Sequence, residues 1–230
     1  MLSHLIDCRR RLLQIVACFI LLFIVFFFLA PHLFQLIIKP LLKTLPTPDS
    51  LIATQITTPL FTPIKLAMDA AIIGTTPFAL IHIWYFVTPG LYRHERQQLR
   101  WTLISSVILF CTGVLFAFYL VLPFMFQFFT KALPIHVKFM PDMGNAVDFI
   151  MHMLLIFGLC FQVPLICLLS VRLQLVNITT LIGIRPYITV IAFIVGMLLT
   201  PPDVISQIML AIPLCLLFEL GILLARFRTC

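Results

Sequence analysis

Apolar residues run along this chain in long blocks separated by short polar stretches. The blocks predict six membrane-spanning helices, about residues 12–30, 63–87, 101–129, 146–169, 187–199 and 205–225, in one membrane domain over 1–230. Pro31 is read as the end of the first span. The segment from there to Thr62 holds Pro31, Pro40, Pro46, Pro48 and Pro59, so it cannot be one regular helix. Within it, His32 to Leu42 is amphipathic and is expected to lie along the membrane surface as a short helix. Pro77 predicts a kink in span two. Span five, Tyr187 to Leu199, covers only roughly 20 Å against a hydrocarbon core of about 30 Å. Two readings stay open there: a short hairpin that thins the bilayer, or a helix that starts earlier while Arg185 snorkels.

Charge orients the spans. All ten arginines fall at one set of span ends, and all five lysines (39, 43, 65, 131 and 138) fall at the other. Basic residues concentrate on the cytoplasmic side of membrane proteins, so both termini are expected inside. The net charge of +7 is therefore topogenic, and no nucleic-acid partner is expected. Apolar residues make up 62% of the chain, beyond the roughly 45–50% of soluble domains. The seven cysteines lie mostly inside apolar spans without a C-x-x-C, so they read as small hydrophobes. Neither a disulfide framework nor a metal site is expected. The first block follows Arg9, Arg10 and Arg11 but has no small-residue cleavage site after it, so it reads as a retained helix. Asn177-Ile178-Thr179 matches a glycosylation sequon on the expected cytoplasmic side and is discounted. No nucleotide-binding loop, zinc spacing or hydrolase elbow occurs, so neither catalytic residues nor a cofactor are expected.

A few polar residues carry the candidate chemistry. Asp7 in HLIDCRRRL and Glu95 in LYRHERQQL are carboxylates among inner-face arginines. They read either as solvated ion pairs or as acceptors for an incoming cationic segment, since a carboxylate meets a guanidinium through two parallel hydrogen bonds. Lys65 and Asp69 on span two, and Asp148 and His152 on span four, are spaced to pair along their own helices. Gln162 lies deep in span four just before Pro164, where a buried amide can join helices. Glu219 in span six needs a partner, such as an arginine of the tail.

HLIDCRRRL, FTPIK, LYRHER, FQVP, RPY and GMLLTPPDVISQ occur in this order. The chain thereby resembles TatC, the multi-spanning core of the twin-arginine protein translocase, from His4 to Phe227. The resemblance implies an all-α, glove-like concave bundle of six transmembrane helices with an outside cap. It implies a receptor that binds twin-arginine signal peptides of folded precursors at the cytoplasmic face. Single-span partners of the TatA and TatB type, a multi-copy complex and transport driven by the proton-motive force come with it. Signal-peptide residues carried over are Glu95, Asp7, Arg9, Arg11, Phe86 and Leu91, with Gln162 at a concave-face position that is often Glu in relatives. Asp7 stands where Glu is usual, which keeps the charge and shortens the reach. Met197, Thr200 and Gln207 match the polar cluster that docks a partner helix; Pro40 in the cap and Asp203 in the final turn also match. The expected location is a bacterial inner membrane, because no transit-like extension precedes span one. A rival reading of the polar residues alone is an ion-coupled solute transporter or channel with Asp69, Asp148, His152 and Glu219 as its relay.

Overall fold

Lipid offers no hydrogen-bond partner to a free backbone N–H or C=O, so an apolar chain of this kind must satisfy its backbone within helices. The computed structural model describes residues 2–42, 51–87, 96–131, 140–199 and 204–227, and nearly all of them are helical. The elements are α1 (Leu2–Leu42), α2 (Thr58–Val87), α3 (Arg96–Phe116), a π-turn (Ala117–Val121), α4 (Leu122–Lys131), α5 (Met143–Cys160), α6 (Val163–Arg172), α7 (Ile178–Leu199) and α8 (Val204–Phe227). Among the described residues, five stretches are long and apolar enough to cross a membrane: 9–42, 58–84, 101–131, 143–172 and 204–226. The apolar part of α7, Arg185–Leu199, is shorter.

Pro31 does not end the first helix. α1 runs through both Pro31 and Pro40 to Leu42, so the expected separate surface helix is its continuation. An internal proline costs about 3 kcal/mol. Beyond Pro31, however, Ile37, Ile38 and Leu41 are buried on one side of α1, and each such side chain contributes about 1.5–3 kcal/mol where it leaves water. At 1.5 Å per residue α1 is about 60 Å long, so it projects well past a hydrocarbon core of about 30 Å. Its C-terminal section, with Pro40 buried, packs into the main core beside Leu66, Leu122, Met125 and Ile150.

Two further prolines shape the spans. Pro123 has no N–H, and the backbone widens just before it: the Leu122 N–H reaches back five residues to the Ala117 carbonyl. Pro164 breaks the fourth span, which divides at Phe161 and Gln162 into α5 and α6. α2 starts at Thr58, before the expected Pro63, and is one helix through Pro77. α7 begins at Ile178, so the fifth helix starts well before Arg185, although its apolar part is only Arg185–Leu199.

Asp142 ties together the end of the bundle where α5 begins. It caps α5 by accepting from the Gly144 and Asn145 N–H groups, both at 3.1 Å, through one carboxylate oxygen. Its other oxygen accepts from the Thr54 N–H (3.0 Å) and hydroxyl (2.8 Å). Ile52 completes the latch, donating to the Pro141 carbonyl and accepting from the Met143 N–H. These donors, Thr54 first, hold the Asp142 carboxyl below its ordinary range. A lowered folded-state value means the stabilisation is complete above the unfolded value of about 3.9 and fades as pH falls through the lowered one. Asp142→Ala should therefore cost about 1 kcal/mol near neutral pH and progressively less in acid. Thermal unfolding of the two proteins at neutral and acid pH checks this: their difference should shrink as pH drops.

Candidate functional site

At the end of the bundle that holds the arginines, α1 meets the last turns of α2. Arg11 Nη1 donates to the His82 carbonyl at 3.3 Å, a cation placed near a helix C-terminus. Arg9 and Arg10 are exposed beside it. Asp7 and Phe86 are placed by the backbone on α1 and α2. Glu95 and Leu91 lie outside the described residues, in the stretch that joins α2 to α3.

Above this end, a polar chain crosses the apolar interior. The Trp84 indole N–H donates to the Ser106 hydroxyl at 3.1 Å. That hydroxyl donates to Gln162 Oε1 at 2.8 Å, and Gln162 Nε2 returns a bond to the Ser106 carbonyl, also at 2.8 Å. Ser106 and Gln162 are both buried. The amide of Gln162 is thus engaged within the bundle, tying the α5–α6 break to α3 and, through Ser106, to α2. Sequence reasoning singled out Gln162 but missed Ser106; a serine in an otherwise apolar stretch of α3 was the available signal.

The helices reach this arrangement through close contact. A Cβ on Gly113 of α3 would stand 2.8 Å from the Phe157 carbonyl oxygen, and one on Gly158 of α5 would stand 2.7 Å from the Phe110 ring. Small residues at both positions let the two backbones approach.

α7 and α8 form a hairpin in which Gly196 lies against Gln207. Gln207 Nε2 donates to the Phe193 carbonyl at 2.8 Å, while Met197 is 62% exposed. Thr200 and Asp203 fall outside the described residues. Lower in the hairpin, Glu219 pairs with Arg185 of α7 at 2.8 Å.

On the opposite face, Lys65 pairs with Asp148 across α2 and α5 in place of the expected pairing with Asp69 on its own helix. His152 uses its ring nitrogen on the Asp148 backbone oxygen at 2.7 Å, so it does not pair with the Asp148 carboxylate either. Lys65 thus finds its partner on the neighbouring helix, while the His152 ring stays on the backbone of its own. An outward cleft of about 220 Å³, with Lys65, Asp148, Thr62 and Asn145 in its wall, opens beside them.

The family model for TatC, described as Sec-independent protein translocase protein, matches residues 3–213. The chain belongs to the TatC family. It is 44% identical to the Sec-independent protein translocase protein TatC of Haemophilus influenzae, over 99% of this chain and 89% of that one. It is 39% identical to the Escherichia coli K12 TatC, over 99% of this chain and 88% of that one. The crystal structure of the twin-arginine translocase receptor TatC superposes with a TM-score of 0.89 at 31% identity, covering 99% of this chain and 100% of that chain. The all-helical TatC architecture expected from the motifs is therefore the architecture found.

Proposed function

We propose that this chain is the signal-receiving core of a twin-arginine translocase in a bacterial inner membrane, with both termini in the cytoplasm. Glu95 accepts the two signal arginines, and Asp7 assists from the start of α1. Arg9 and Arg11 order that start, and Phe86 and Leu91 flank the signal's apolar stretch. Gln162 contributes by holding the helices behind them. Met197, Thr200 and Gln207 dock the helix of a TatA- or TatB-type partner on the α7–α8 hairpin; Pro40 and Asp203 shape the cap and the final turn. The protein acts as receptor and scaffold in a multi-copy complex, and the proton-motive force supplies the energy.

One observation carries this reading: LYRHER stands intact around Glu95 in a chain that matches the family along almost its whole length. The packing of α1 on α2 through Arg11 adds support, since it brings the Asp7 segment to the helix end from which the Glu95 loop departs. Export of a folded reporter bearing a twin-arginine signal tests the reading in membranes that contain the partners. Export should require the membrane potential, persist without nucleotide hydrolysis, and fail with Glu95→Gln. An ion-coupled transporter would tolerate Glu95→Gln and show ion flux when purified alone.

A further inference from the structure

The stretch that carries Glu95 joins the end of α2 to the start of α3 in sequence. Its position relative to the bundle depends on how those two helices are aligned along their axes. The described residues give that alignment directly. Trp84, one turn before the end of α2, is bonded to Ser106, ten residues into α3. At 1.5 Å per residue, Val87 lies about 4.5 Å beyond Trp84, whereas Arg96 lies about 15 Å from Ser106. The start of α3 therefore extends about 10 Å farther along the bundle than the end of α2. This start of α3, roughly two turns that include Arg96 and Arg100, forms a pedestal.

Lipid-facing helices slide against one another with little resistance from apolar contacts, because lipid is as apolar as the side chains it replaces. A directional bond between buried groups resists sliding, since each displaced partner would be left unsatisfied. Ser106 is fully buried, and Gln162 fixes its hydroxyl direction by accepting its proton, so the free lone pair is presented to the Trp84 N–H. Gln162 in turn is held by the Ser106 carbonyl and by its place at the α5–α6 break.

We propose that Trp84 and Ser106, backed by Gln162, are positioning residues that set the register of α2 against α3, and so the axial position of the start of α3, on which reception of the signal arginines depends. They touch no ligand; they act through the pedestal. This rests on the proposed receptor role of Glu95, but the register itself can be measured without any peptide.

Spin labels at Gln14 on α1 and Gln98 at the start of α3 report the pedestal's position in the full-length protein in lipid nanodiscs. Affinity for a twin-arginine peptide, with a twin-lysine peptide alongside, reports the function. Ser106→Ala and Trp84→Phe should broaden the label distance distribution and weaken the twin-arginine peptide at least 10-fold. Preference over twin-lysine should shrink, and Ser106→Thr should restore both readouts. Helicity and thermal unfolding identify any variant that fails to fold; the two substitutions stand on different helices, so either one carries the test. Unchanged distances in both variants would overturn the register role. Broadened distances with unchanged twin-arginine preference would overturn the link to Glu95. If the wild-type protein shows no twin-arginine preference, the receptor reading fails and the label distances alone decide the register.

Discussion

Glu95→Ala should weaken binding of a twin-arginine signal peptide by roughly 30-fold to several-thousand-fold, the equivalent of about 2–5 kcal/mol for a hydrogen-bonded charge pair that binding takes out of water and that is deprived of one partner. The guanidinium groups of the signal keep their cost of leaving water and lose the acceptor that offsets it. Glu95→Gln should fall between the two proteins, since an amide oxygen still accepts a hydrogen bond but brings no charge. Asp7→Ala should cost less than Glu95→Ala, because Asp7 has the shorter reach. Equilibrium binding of a labelled signal peptide to the full chain in nanodiscs checks the order. Equal affinity in all four proteins would remove these carboxylates from the site.

Gly113→Val should be strongly destabilising. The added Cβ alone would lie 2.8 Å from the Phe157 carbonyl oxygen and 2.9 Å from Phe161, and the first of these is backbone that cannot rotate away. α3 and α5 must then separate, and overpacking of this kind costs typically about 1–3 kcal/mol or more. Separation also stretches the Ser106–Gln162 bonds, which lie on the same pair of faces. Gly183 supplies the control: a Cβ there meets nothing within 4 Å, so Gly183→Ala should be neutral or gain up to about 1 kcal/mol from helix propensity. Cys167, only 4% exposed, is a built-in probe. Its thiol should become reactive at a clearly lower temperature in Gly113→Val and at an unchanged or higher one in Gly183→Ala.

The spans were legible because hydrocarbon thickness and the helix repeat leave few ways to arrange long apolar blocks. The motifs then supplied the family. Less legible were the places where tertiary contact overrides a local rule. Pro31 reads as a helix end, yet burial of Ile37, Ile38 and Leu41 beyond it keeps α1 continuous. Lys65 and Asp69 have the spacing of a pair along one helix, yet Lys65 turns to Asp148 on another. Glu219 finds Arg185 for the same reason: a hairpin brings together residues far apart in sequence. No periodicity in a single helix encodes which neighbour it meets. Gln162 was recognisable as an out-of-place polar residue, but its partners on α2 and α3 emerged only from the packing. Glu95, Leu91, Thr200 and Asp203 rest on motif position, since they lie outside the described residues.

The central claim is that Glu95 receives the signal arginines, and site-specific photocrosslinking in native membranes tests it most directly. A probe placed beside Glu95 should capture a twin-arginine signal peptide. Capture should drop sharply with a twin-lysine peptide and with Glu95→Ala. Capture indifferent to both changes, or none from a correctly inserted protein, would contradict the account.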